Sequence, residues 1–174
     1  MASNRIQRKR RASTESRNAG QRRSDAEAED SASSLIVLIA NRLTSGASIV
    51  YREAFGVGTI EWRVLSHVAN ERWITPQRIC RLGGLDKGGV SRSMKFLLDR
   101  GLIAVRGSTA DARSVELSLT AKGAAMYERM ARVADERERR LLHGLSKPQV
   151  RGLVDTLRRL NEQVAAVNDI GKRE

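Results

Sequence analysis

The stretch "DKGGVSRSMKFLLDRGLIAVRG", residues 86–107, constrains the fold more than any other part of the chain. Within it the apolar period changes from helical to alternating with no linker between. Val90, Met94, Leu97 and Leu98 fall at i, i+4, i+7 and i+8, one stripe of a helix. Gly101 suits the left-handed residue that ends helices. Beyond it "LIAVRG" and "SVELSL" read as short strands, the second with Val115, Leu117 and Leu119 alternating with polar neighbours. The polar "STADAR" between them is turn-forming, which predicts a β-hairpin directly behind a helix.

The preceding residues complete the unit. In "TPQRICRL" Thr75 can cap a helix and Pro76 suits its first turn, with Ile79 and Leu82 as its apolar side. "GG" at 83–84 is a tight turn, Leu85 an apolar anchor and Asp86 the next cap. Two short helices joined by a glycine turn predict a helix-turn-helix. Upstream, Leu35, Leu38, Ile39, Leu43, Ile49 and Val50 mark a long helix ending near Phe55. After the break "GVGT" a second helix follows on Ile60, Val64, Leu65 and Val68. Downstream, Thr120 caps a helix running to about His143. "SKPQ" is a capping box opening a last helix striped by Val150, Leu153, Val154, Leu157, Leu160, Val164 and Val167.

Charge narrows the partner. The 174 residues carry a net +12; residues 1–30 hold eight basic and five acidic groups, so most of the surplus lies on the remainder. That points to nucleic acid ahead of membrane or acidic protein. Residues 1–33 are too polar to offset ordering entropy and are expected to form a flexible basic arm. The single cysteine, Cys80, excludes an intramolecular disulfide and a cysteine-rich zinc site, and reads as a small buried hydrophobe ahead of a redox sensor. "LIVLIA" at 35–40 is far shorter than a membrane span, and no apolar stretch follows the basic start. A soluble, cytoplasmic protein is the expectation.

The helix opening at Asp86 has glycines in its first turn, the poorest helix formers after proline. Gly88 and Gly89 read as clearance for a close backbone approach, and Ser91, Arg92 and Lys95 as outward contacts. A helix of this diameter fits a DNA major groove, and its N-terminus favours phosphate. The set expected to face DNA is Thr75, Gln77, Lys87, Gly88, Ser91, Arg92 and Lys95, with Arg106 and Arg113 on the hairpin. A basic hairpin tip can enter a minor groove, and Asp111 could orient Arg113.

Helix-turn-helix plus "DRGLIAVRGSTADARSVELSLTAKG" resembles the winged helix of the MarR family of transcriptional regulators. "RGLI", "DAR" and "LTAKG" carry the resemblance, which covers roughly residues 35–168. It implies a mainly α fold with a small β-hairpin wing: a DNA-binding lobe at about 58–119 and a dimerisation layer from helices at about 34–55 and 120–169. It further implies a homodimer that places recognition helices in successive major grooves of a pseudo-palindromic operator, with repression the commoner outcome. Ser91, Arg92 and Lys95 match the recognition face and Arg113 the wing arginine. "KGG" replaces the more usual hydroxyl residues, and the wing lacks an Asp-Pro before "DAR". The two long apolar stripes would leave a large patch on a monomer, which independently favours a dimer.

Family members often bind small anionic aromatic ligands between the two layers. Here Arg42, Tyr51, Arg52, Trp62, Arg63 and His67 are the positions that could hold an aromatic carboxylate. Nothing suggests an enzyme: no nucleophile spacing, phosphate loop or metal-ligand cluster appears, and no cofactor is called for. The alternative is a basic winged-helix protein that coats DNA or RNA without sequence preference; a winged helix reused for protein contact is a third reading.

Overall fold

The computed structural model describes residues 31–107 and 114–169. Six helices and one two-stranded antiparallel sheet make up the described residues. Helix α1 (Ala32–Phe55) is capped by Ser31 and ends at Gly56, whose φ of 62° a side chain would resist. It thus begins inside the stretch expected to be arm. Helices α2 (Thr59–Asn70), α3 (Pro76–Gly83) and α4 (Lys87–Asp99) follow. Strands β1 (Ile103–Gly107) and β2 (Val115–Leu119) form the wing, and α5 (Ala121–Leu141) and α6 (Lys147–Asn168) close the chain.

The caps are those the side chains dictate. Thr75, Asp86, Thr120 and Ser146 each accept a backbone N–H in the first turn of their helix, and Ser146 with Gln149 completes the reciprocal box. Each cap satisfies a donor that a helix start leaves orphaned.

The core lies where α2, α4, the wing and α5 meet. Val64, Leu65, Ile79, Val90, Leu97, Leu102, Leu117 and Met130 are all buried there. Burial departs from the expected stripes at several positions. Leu82 is 52% exposed, because α3 is only two turns long and buries Ile79 alone. Ile60 and Leu98 are also largely exposed. In β2 the alternation fails, since Glu116 and Ser118 are buried together with Leu117. On the free edge of β2, Ile74 pairs with Leu117 through two backbone bonds, an isolated bridge that ties the α2–α3 loop to the wing.

Two helices leave most of their length outside the core. Helix α6 has no buried residue, and α1 buries only Ala47 and Tyr51. Leu153, Val154, Leu157, Leu160, Val164 and Val167 are all exposed, as are Leu35, Val37, Leu38 and Ile39. By length and composition α1 could cross a membrane, with a mean hydropathy of 1.4 over its best window, which the single run "LIVLIA" did not reveal. Arg42 stands near its middle, an expensive residue for a bilayer centre.

Candidate nucleic-acid interface

The exposed side of α4 is assembled by what its other side must bury. Val90, Ser93 and Leu97 face inward, and Ser93 Oγ donates to Glu61 Oε1 on α2 at 2.9 Å. This bond places a hydroxyl on the buried line, with Met94 only half-buried and Leu98 outside it. Lys87, Gly88, Ser91, Arg92 and Lys95 are left exposed on the opposite side.

The two glycines have separate tasks. Asp86 Oδ1 accepts the Gly89 N–H at 2.7 Å, and a Cβ on Gly89 would come within 2.8 Å of Asp86 Oδ2. Gly89 is buried, so it serves the cap and not an approaching ligand. Gly88 is exposed, and a Cβ there would meet Arg92 Nη1 at 3.2 Å. The missing Cβ at Gly88 leaves room for the Arg92 guanidinium and the Asp86 carboxylate along the first turn.

Gln77, Lys87 and Ser91 come together around a depression of about 430 Å³ between α3 and α4, lined also by Cys80 and Met94. Cys80 is half-buried and packs against the core. Thr75 spends its hydroxyl as the α3 cap, accepting from the Arg78 N–H at 3.3 Å.

The far end of α4 is held by the first turn of α5. Thr120 Oγ1 donates to the Gly101 carbonyl at 2.7 Å and Lys122 Nζ to the Arg100 carbonyl at 2.7 Å, satisfying groups a helix end leaves open. Gly123 is buried against the Leu102 backbone. "LTAKG" is thus a structural grip on the end of α4. Arg100 adds a bond from Nη1 to the Gly56 carbonyl at 3.0 Å, joining that end to α1.

At the wing, Arg106 is held by partners that its place in the sequence did not announce, with its side chain still 44% exposed. Arg106 lies directly across the ladder from Glu116 and donates from Nε and Nη2 to Glu116 Oε2 at 2.9 and 2.7 Å. Its guanidinium also sits 4.1 Å from the centre of the Trp73 ring. Arg113 and Asp111 lie outside the described residues.

Of the residues expected to line a ligand cleft, Tyr51, Trp62 and Arg63 meet at a cavity of about 260 Å³ between α1, α2 and α5. Trp62 packs between Tyr51 and Tyr127, each ring 5.6 Å away. Arg42, Arg52 and His67 do not line it. His67 instead faces the α3–α4 turn, where a Cβ on Gly83 would lie 2.9 Å from Nε2; Arg63, one helical turn earlier, donates to the Gly83 carbonyl. The cavity's second cation is Arg137 of α5, bonded to the Leu43 carbonyl at 3.0 Å. Sequence reading passed over it because "DERERR" looks like any solvated charged face. Burial raises the Tyr51 pKa, against the opposing pull of Arg137.

Burial, and then the neighbouring Arg63, lower the His67 pKa below its ordinary 6.5. The folded chain therefore favours the neutral ring. Its contribution to stability is complete above the unfolded value and is lost as pH falls towards the folded one. Thermal melts at about pH 7 and about pH 5 should show a smaller acid-induced loss in His67→Gln than in the parent protein. An equal loss in both would remove His67 from the account.

A helix-turn-helix followed at once by a two-stranded wing, flanked by long helices, defines a winged-helix protein. Residues 55–114 match the family model described as MarR family. A MarR/EmrR family transcriptional regulator from Acinetobacter sp. ADP1 is 33% identical, with a TM-score of 0.72 over 78% of this chain and 95% of that one. The chain belongs to the MarR family, whose members are transcriptional regulators and not enzymes. The fold is shared with S. aureus MepR, solved with DNA (20% identity, TM-score 0.69, 78% of this chain and 98% of that one). It is also shared with a mutant of E. coli MarR solved with operator DNA (21% identity, TM-score 0.63, 72% and 90%). Among curated proteins none matches.

Proposed function

We propose that the protein is a sequence-specific DNA-binding regulator that acts as a homodimer on a two-fold operator. One observation carries this reading: Lys87, Ser91, Arg92 and Lys95 stand exposed together on α4, at and beyond an N-terminus already biased toward phosphate. Gln77 joins them across the depression between α3 and α4. Two relatives of this fold were solved with DNA. The exposed apolar faces of α1 and α6 are the natural seam for a second copy, so residues 34–55 and 120–169 form the dimerisation layer and 58–119 the DNA-binding lobe.

Repression is the action we assign, with the protein working in the cytoplasm, where its DNA is. An aromatic carboxylate in the cavity of Tyr51, Trp62, Arg63 and Arg137 would release it, since that cavity touches both layers. Arg113 and Asp111 complete the wing in this reading. The competing reading is a coating protein without sequence preference, favoured by the basic residues 1–30.

Fluorescence anisotropy with the duplex upstream of the protein's own gene and with a scrambled duplex separates the two. A regulator prefers the upstream duplex by ~10³ or more. Arg92→Ala should cost about 10- to 100-fold on that duplex. Added benzoate should weaken binding by the parent and not by Arg137→Ala. Equal affinity for both duplexes, with a steep salt slope, would establish coating instead.

A further inference from the structure

We propose that Trp73, Arg106 and Glu116 form a clamp that sets the angle of the wing against the helix-turn-helix, and that Arg106 acts by this positioning and not as a phosphate contact. The inference rests on the DNA-binding reading above. It begins from the backbone. Trp73 is the one non-glycine residue among those described with a positive φ, 63°. A bulky side chain is disfavoured there and persists only where its surroundings require it.

The surroundings are specific. Ile74, the next residue, is buried and pairs with Leu117 through two backbone bonds of 3.1 and 2.9 Å. The left-handed turn at Trp73 thus falls where the chain leaves the α2–α3 loop to join the wing ladder. The Trp73 ring lies 4.1 Å from the Arg106 guanidinium, which reaches across the ladder to Glu116. Three segments are locked in one stack: the α2–α3 loop, β1 and β2.

Electrostatics argues against a direct contact. Arg106 Nε and Nη2 both donate to one carboxylate oxygen, and the Glu116 side chain is only 12% exposed. Glu116 therefore largely cancels the charge that Arg106 would present to a phosphate. A carboxylate this buried, bonded across the ladder, fixes where the Arg106 guanidinium lies.

The two roles predict opposite signs. If Arg106 contacts phosphate, Glu116→Ala removes a repulsive charge and binding to the upstream duplex tightens. If the three residues form a clamp, Glu116→Ala weakens binding about tenfold. Arg106→Lys, which keeps the charge but loses the planar fork and the stack, should weaken it similarly. Trp73→Gly suits the backbone and removes only the ring. It should keep the parent's helical content and still bind more weakly, with faster amide exchange in β1 and β2.

Weaker binding by all three variants supports the clamp. Tighter or unchanged binding by Glu116→Ala, with parent-like Arg106→Lys, overturns it while leaving the DNA-binding reading intact. If the parent itself fails to bind the duplex, the DNA-binding reading falls. Slow exchange in all three variants would then remove the clamp as well.

Discussion

Gly123→Ala should melt well below the parent protein and lose affinity for DNA in step. A Cβ at this position would lie 1.8 Å from the Leu102 carbonyl oxygen and 2.8 Å from its carbon. Both are backbone atoms, so no rotamer change relieves the overlap. Either the first turn of α5 lifts away or the Gly101–Leu102 segment is pushed outward. Overpacking of this kind costs about 3 kcal/mol, which in a chain of this length lowers Tm by roughly 6–12 °C. The functional loss follows from what the same turn holds. Thr120 and Lys122 bond the Gly101 and Arg100 carbonyls, and both bonds loosen if α5 moves. Gly107→Ala is the control, since nothing lies within 4 Å of a Cβ there. Melts of both at one protein concentration check the claim; a Gly123→Ala variant as stable as Gly107→Ala would refute it.

The second large effect concerns assembly. If the protein pairs through α6 as proposed, Leu157→Asp should leave it a monomer without unfolding the subunit. Leu157 sits mid-helix on α6, 43% exposed, between Leu153 and Leu160 on a face left open by the described residues. In an isolated subunit an aspartate there stays hydrated. At a subunit seam it would be buried without a partner, an outcome costly enough to prevent association. Light scattering at micromolar concentration should give the monomer mass, with helical content unchanged. Affinity for the upstream duplex should fall about a hundredfold or more, because each half-site is then engaged independently. A dimer mass for Leu157→Asp would mean that this face is not the seam.

Both effects turn on residues whose role is only partly written in the chain. Gly123 could be read in sequence as part of "LTAKG", yet its closeness to Leu102 depends on how α5 folds back over the wing. The amphipathic stripe of α6 was legible from Val150 to Val167, because helical spacing of apolar residues is a local property. What covers that stripe is not local. Likewise Arg92 and Lys95 could be assigned to the open side of α4 from spacing alone, whereas Arg106 could not be separated from them. Its partners, Trp73 and Glu116, lie on other segments, and only the ladder register brings them together. The cavity between α1, α2 and α5 divides the same way: Trp62 and Arg63 were found within one helix, and Arg137 entered from a helix that local charge pattern marks as surface.

By itself, then, the sequence determined where helices start and stop. Thr75, Asp86, Thr120 and Ser146 cap their helices with their own side chains, through bonds that span three residues. It also determined the switch from period 3.6 to period 2 after Gly101, hence helix-turn-helix plus wing. Only the tertiary structure decided which glycine makes room and which completes a cap, and which arginines are held. Those outcomes depend on contacts between residues far apart in the chain. Side chains of one type differ there only in what the fold sets beside them.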